Sequence, residues 1–320
     1  MQFIQKTIGL ELKYFDAYFD ETLKSDFQLL NKILSYLSSK KGKQMRPIFV
    51  LLCARLIGEI NERSYRAALI VEMLHTSTLV HDDVVDESLQ RRGSYSVNAL
   101  WKNRTSVFTG DYLFTNCISL LLKNNDLGIL KIFSDSIGKV IECELTQMHK
   151  SSRLDLTEDD YYEIIKNKTA VLLASACAAG TASTSDEVAL IEKLYLFGEK
   201  IGIAFQIKDD LLDYSSNDIG KPTGNDIKER KITLPLIFVL STCSSTLKKK
   251  IIHTIKHRNT QKVGVDYLIQ EVKKNGGITY AERKMLFFKN EALKILYEFP
   301  ESDTRSALEE LVFYAIDRIK

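Results

Sequence analysis

The chain has 320 residues, 45% of them hydrophobic and 27% charged, with a formal net charge of +2. That length fits one large all-α domain or two ordinary ones. The near-neutral balance argues against nucleic acid as a partner. With 15 Gly and 4 Pro the chain has few interruptions, so long helices are favoured over many short strands.

Apolar residues recur at helical spacing over 3–23 (Phe3, Ile4, Ile8, Leu12, Phe15, Phe19) and 26–39 (Leu29, Leu30, Ile33, Leu37). These read as two antiparallel outer helices. SSKKGK breaks the pattern with Gly42 at the turn, Pro47 suits a first helical turn, and Ile48–Ile57 continues as a buried helix. One long pattern covers 64–88. A loop through Gly93 leads to Val97–Trp101, and helices follow at 106–123 and 126–149. Thr157 with Asp160 has the form of a capping box opening a helix over 158–180; Thr184 with Glu187 does the same for 186–214. Residues 215–230, with Gly220, Pro222 and Gly224, read as a mobile loop. Helices recur at 232–242, 246–257, 261–274, 278–297 and 303–319. No strand alternation and no polar linker is visible. The expectation is a single all-α domain over 1–320, a bundle of roughly a dozen mostly antiparallel helices.

Cys53, Cys117, Cys143, Cys177 and Cys243 are scattered, and no CxxC pair suggests zinc or a disulfide framework. Reduced core thiols in a cytoplasmic protein are the expectation. The N-terminal stretch lacks an apolar core of signal-peptide length. The longest nearly apolar run, Ala170 to Gly180, falls short of the roughly 18 residues that span a bilayer, leaving contact with a membrane surface as the most the sequence allows.

The chemistry is concentrated in two stretches. Residues 81–93 read HDDVVDESLQRRG, placing Asp82, Asp83 and Asp86 at i, i+1 and i+4. At about 100° per residue, Asp82 and Asp86 share a helix face and Asp83 flanks it. Carboxylates this close repel unless a cation sits among them, and the guanidinium forks of Arg91 and Arg92 suit phosphate oxygens. Such a mixture is what a magnesium–diphosphate site needs. The ordinary reading of such a run, a solvated acidic helix end, loses ground to a second copy. FQIKDDLLDY at 205–214 sets Asp209, Asp210 and Asp213 at the same spacing, 127 residues on, again flanked by apolar helix. Facing each other, the two triplets would hold a small cluster of divalent ions.

Other candidates are weak singly. Lys43 and Arg46 follow the Gly42 turn, and His75 precedes Asp82; with Arg92 they would form a second, metal-free anion pocket. Lys168 and Thr169 open the apolar run TAVLLASACAAG, where a lysine either snorkels or meets a buried anion. Gln206 and Lys208 sit a turn before the second triplet, and Lys221 and Lys231 frame the polar loop, where a cation could close over phosphates.

Five separated blocks, GKQMRP at 42–47, HTSTLVHDDVVDESLQRRG at 75–93, VFTGDYLF at 107–114, KTA at 168–170, and FQIKDDLLDY with GKPTGND at 205–226, resemble the trans-isoprenyl diphosphate synthases, or polyprenyl synthetases, over essentially the whole chain. The likeness is greatest to bacterial long-chain members of octaprenyl diphosphate synthase type. The resemblance implies the isoprenoid synthase fold, a homodimer of helical subunits each with a deep central cavity. It also implies Mg²⁺ held by Asp82, Asp83, Asp86, Asp209 and Asp210, with Asp213 in support. Arg91, Lys168, Gln206, Lys221 and Lys231 would contact an allylic diphosphate such as farnesyl or geranylgeranyl diphosphate; Lys43, Arg46, His75 and Arg92 would hold isopentenyl diphosphate. The family's GGKRxRP is altered here, with Lys41 for the first Gly and Gln44 for the first Arg, while Lys43 and Arg46 remain.

The resembled reaction is ionisation, condensation and elimination, with Thr169 and Gln206 offering oxygen dipoles to the allylic cation and the 215–230 loop excluding water. Product length should follow cavity depth. Thr78 and Leu74 lie about 40° and 80° round the helix from Asp82, and in the family the residue five before the first Asp, here Ser77, gates length. Ser77 and Thr78 are small, so a product of roughly six to nine isoprene units is expected, for quinone side chains. The rival readings are a short-chain farnesyl or geranylgeranyl diphosphate synthase, and a non-catalytic subunit, which should have lost carboxylates. Two others are an HD phosphohydrolase on His81–Asp82, which lacks its further histidines, and a terpene cyclase, which lacks the second aspartate triplet.

Overall fold

The computed structural model describes residues 2–91, 93–150, 156–215 and 224–317. They are almost wholly helical, as expected: α1 (Gln2–Thr22), α2 (Gln28–Ser39), α3 (Met45–Ile57), α4 (Glu62–Val85), α5 (Val97–Lys123), α6 (Leu127–Lys150), α7 (Glu158–Ile165), α8 (Val171–Ala182), α9 (Val188–Leu212), α10 (Asn225–Lys228), α11 (Leu234–Thr242), α12 (Ser245–Arg258), α13 (Lys262–Lys274), α14 (Gly277–Tyr297) and α15 (Asp303–Ile316). The backbone groups into two compact units. The first comprises Met1–Asp135, Ser175–Tyr195 and Pro300–Glu310; the second comprises Ser136–Ala174, Leu196–Phe299 and Leu311–Lys320.

The first unit is built on α3 and α4. Residues Pro47 to Ala54 of α3 are all buried, which a helix apolar on every side requires. Gly180 of α8 lies so close to α3 that a Cβ there would stand 2.2 Å from the Val50 carbonyl oxygen. The start of α4 is fixed by a capping box: the Asn61 side chain accepts from the amides of Arg63 and Ser64, and Ser64 Oγ accepts from the Asn61 amide. α4 then packs most extensively on α5. The separate segments expected at 97–101 and 106–123 are one helix kinked at Lys102, whose φ of 75° no regular helix contains. Between α4 and α5 a two-stranded hairpin pairs Gln90 with Tyr95 and Arg91 with Ser94, two residues a side and too short to show alternation.

In the second unit α7 starts on the expected box, with Thr157 Oγ1 accepting from the Asp160 amide and the Asp160 carboxylate accepting from the Thr157 amide. The helix expected over 158–180 is not uniform. Lys166–Ala170 form a π-helical turn between α7 and α8, a widening common at functional sites. Gly202 of α9 passes so near this turn that a Cβ would meet Ala170 Cα at 2.4 Å. The second expected capping box does not form. Thr184 Oγ1 donates to the carbonyls of Thr181 and Ala54, while Ser185 Oγ accepts from the Glu187 amide and the Glu187 carbonyl starts α9.

Candidate active site

The first triplet closes α4. Asp82 is half-buried, Asp83 buried, and Asp86 exposed at the C-cap, where its amide bonds the Asp82 carbonyl. A helix C-terminus carries partial negative charge, so the carboxylates here add to a field that attracts cations. Asp83 has partners of its own. Its Oδ1 accepts from Arg91 Nε at 2.7 Å, and its carbonyl takes Asn98 Nδ2 at 3.0 Å. Burial pushes the Asp83 pKa up; Arg91 pulls it back, and the Asp86 charge pushes it further. The hairpin therefore supplies a counter-ion to Asp83. An open cleft lies beside Asp83, lined among others by Tyr36, Lys41, Glu72, Val80, Asp83 and Arg91.

Of the anion pocket, Lys43 is exposed, Arg46 and His75 are half-buried, and all three make interactions. Arg92 lies outside the described residues, as does Lys221. Gln44, between Lys43 and Arg46, holds a left-handed backbone (φ 49°) at the N-cap of α3, and its amide Nε2 is buried without a hydrogen bond. Among the length-determining candidates Leu74 is buried. Ser77 Oγ donates to the Gly110 carbonyl of α5 at 2.9 Å, and Thr78, half-buried, donates to the His75 carbonyl one turn back. Ser77 thus faces the backbone of α5, and Thr78 is the less confined of the two.

The second triplet ends α9. Asp209 is exposed, Asp213 half-buried and Asp210 6% exposed. Asp210 receives Tyr161 OH on Oδ2 at 2.6 Å and Gln206 Nε2 on Oδ1 at 2.9 Å; Thr169 Oγ1 donates to Gln206 Oε1 at 2.9 Å. Burial raises the Asp210 pKa to about 7, the two donors lower it, and Asp226 and Asp209 raise it. Asp213 accepts the amides of Asn225 and Asp226 at 2.9 and 3.0 Å, so it caps α10; residues 225–228 of the expected loop are thus a helical turn. Asp226 has its pKa raised to about 6 by burial and then by Asp213. Lys168, in the π turn, pairs with Glu144 at 2.7 Å and Gln147 at 3.0 Å; Lys231 pairs with Glu229 at 2.6 Å.

Sequence reasoning assigned no role to Tyr161 or Glu144, and it quoted Gln44 and Asp226 without one. Tyr161 stands seven residues before Lys168, two helical turns, which was an available signal. Among the described residues no three His, Cys, Asp or Glu side chains gather closely enough to cage an ion alone. Magnesium uses one or two carboxylates plus water and phosphate oxygens, so the donors present fit it in the company of a diphosphate. Asp210 and Asp226 are raised first by burial and then by neighbouring carboxylates, and a bound cation would relieve both.

Residues 27–272 match the polyprenyl synthetase family. The chain belongs to that family and is a trans-prenyl diphosphate synthase, a prenyltransferase. It is 36% identical over its whole length to an all-trans-nonaprenyl-diphosphate synthase (geranyl-diphosphate specific) of Rhodobacter capsulatus, covering 98% of that protein. It is 32% identical to the octaprenyl diphosphate synthase of Escherichia coli, over 93% of each. Its fold superposes with a TM-score of 0.90 on a polyprenyl synthase from Caulobacter crescentus complexed with calcium and isoprenyl diphosphate, at 31% identity over 99% of this chain and 97% of that one. No helix among the described residues is long and apolar enough to cross a membrane.

Proposed function

We propose that this chain is a long-chain, all-trans polyprenyl diphosphate synthase. It condenses isopentenyl diphosphate repeatedly onto farnesyl or geranylgeranyl diphosphate with Mg²⁺, giving roughly six to nine isoprene units for a quinone side chain. In this reading residues 1–320 act as one domain in a cytoplasmic homodimer whose product leaves through peripheral membrane contact. The observation that carries it is the repeated acidic triplet ending two long helices, α4 and α9, in a member of this family.

Asp86 and Asp209 are exposed and Asp82 is half-buried. Asp83, Asp210 and Asp213 accept donors and join through their remaining lone pairs. When bound, magnesium supplies positive charge to the leaving diphosphate. Arg91, Lys168, Gln206, Lys221 and Lys231 hold the allylic diphosphate, and Lys168 exchanges Glu144 for a phosphate oxygen to do so. Lys43, Arg46, His75 and Arg92 place the isopentenyl double bond against the allylic carbon. The allylic C–O bond breaks with its electron pair going to diphosphate, and the double bond attacks the cation. A proton then leaves to the departed diphosphate, so no side-chain base is needed. Thr169, its hydroxyl proton committed to Gln206, turns oxygen lone pairs towards the cation.

The test is to incubate the purified protein with Mg²⁺, labelled isopentenyl diphosphate and farnesyl diphosphate, and to size the extracted lipid. A ladder ending near octaprenyl is expected. Products stopping at three or four units would leave the family assignment standing and overturn the long-chain reading; no condensation with any allylic primer would overturn catalysis by this chain alone.

A further inference from the structure

Asp210 is held from two directions by residues of different elements. Gln206, one turn earlier on α9, donates to Oδ1, and Tyr161, from α7, donates to Oδ2. With a divalent cation bound the carboxylate is ionised and can only accept, so both partners then turn a proton towards it. The Gln206 amide is oriented for this: its nitrogen faces Asp210, its oxygen faces away, and there Thr169 donates to it. One directional chain results, with Tyr161 and Gln206 both pointing into Asp210 and Thr169 pointing into Gln206.

A carboxylate's terminal torsion is soft and nearly two-fold. An amide on one oxygen alone would leave the group free to pivot about that contact; a second donor on the other oxygen removes the freedom. Tyr161 is 4% exposed, and its ring packs edge-on against Tyr162 at 5.7 Å, so a phenylalanine would fill the same space. The hydroxyl is what the carboxylate uses. It meets the one residue of the second triplet that is nearly sealed from water, whereas Asp209 is open to solvent and Asp213 is set by backbone amides.

We propose that Tyr161 is a positioning residue for the diphosphate–metal site: its hydroxyl locks the Asp210 carboxylate so that the remaining lone pairs are presented in one direction to a divalent cation. The role rests on the prenyl-transfer reading above. It deepens that reading by adding a residue outside the two acidic triplets and the basic set. Hydrogen-bond partners of metal ligands act on affinity more than on the fold, typically by one or two orders of magnitude.

The experiment compares the wild type, Tyr161→Phe, Asp210→Asn and the double variant by two readouts. One is the rise in melting temperature on titrating Mg²⁺ at fixed inorganic pyrophosphate, which needs no turnover; the other is the Mg²⁺ dependence of condensation. Tyr161→Phe should raise the Mg²⁺ concentration for half-maximal stabilisation by about tenfold, with kcat at saturating Mg²⁺ within about twofold of wild type. Added to Asp210→Asn it should change neither readout further, because it acts through that carboxylate. An unmoved Mg²⁺ midpoint in Tyr161→Phe, or a full further shift in the Asp210→Asn background, overturns the inference. Should Tyr161→Phe fold poorly, Gln206→Met removes the other anchor and must shift the midpoint the same way; if it does not, the two-sided lock is wrong. A wild type that neither condenses prenyl units nor gains stability from Mg²⁺ with pyrophosphate would instead overturn the functional reading itself.

Discussion

Arg91 Nε lies 2.7 Å from Asp83 Oδ1, tying the hairpin to the last turn of α4. The carboxylate is 3% exposed, so its partner is what makes the charge tolerable there. Removing the guanidinium leaves an uncompensated buried charge. Arg91→Ala should therefore cost about 2 kcal/mol, below the range for fully buried pairs because Arg91 is part-exposed. Asp83→Asn in the same chain should recover part of that loss, read as a double-mutant cycle by denaturant unfolding. Additive effects would mean that the two side chains do not depend on each other.

The buried carboxyl of Asp210 makes a prediction about pH. In the folded chain it keeps its proton up to about pH 7, whereas the ordinary value is 3.8. Folding therefore takes up a proton between these values, and stability falls as pH rises from about 4 to about 7. Asp226, raised to about 6, acts in the same direction. In chelator, the melting temperature should be higher near pH 5.5 than at pH 8, and Asp210→Asn should stabilise the protein at pH 8 by about 2–4 kcal/mol while depressing turnover. A melting temperature insensitive to pH across this window, or a destabilised Asp210→Asn, would contradict the burial argument.

The contact of α3 with α8 admits no side chain at position 180. Because the obstacle is the Val50 carbonyl, backbone rather than a flexible tip, Gly180→Ala must push the helices apart. A loss of about 2 kcal/mol is expected, seen as a lowered midpoint in urea. A neutral outcome would show that the two helices slide more freely than close packing implies.

Length control divides between neighbouring residues. Ser77 donates to the Gly110 carbonyl, so Ser77→Phe has to displace α5 and should lower the melting temperature as well as shorten the product. Thr78, bonded only to its own helix among its recorded hydrogen bonds, should accept Phe with a smaller thermal penalty and a comparable shortening. Lipid sizing beside thermal unfolding separates the two. An unchanged product spectrum in Thr78→Phe removes position 78 from the gate.

Much of this was visible in the residues alone. Helical periodicity and the Thr157–Asp160 box located most elements, because burial of one apolar stripe per helix dominates here. The aspartate spacing likewise marked both helix ends. What stayed hidden depended on partners far along the chain. Nothing near Asp83 foretells that Arg91 folds back onto it through a two-residue hairpin, or that Tyr161 from α7 reaches Asp210 on α9. The Thr184 box failed because Ser185 Oγ accepts the Glu187 amide in its place. The left-handed Gln44 was illegible for another reason: strain of that kind is imposed by the surroundings and leaves no composition signal.

The π turn at Lys166–Ala170 carries one residue more than an α-helix would need to cover the same stretch. Excising Asn167 would restore uniform winding with α8 left in place, because the widened turn absorbs the extra residue before α8 begins. Positions within the turn would move by about 100°, and Thr169 would lose its register with Gln206. The length of this segment is therefore as tightly constrained as any side chain in it, and evolution can vary its letters more readily than their number.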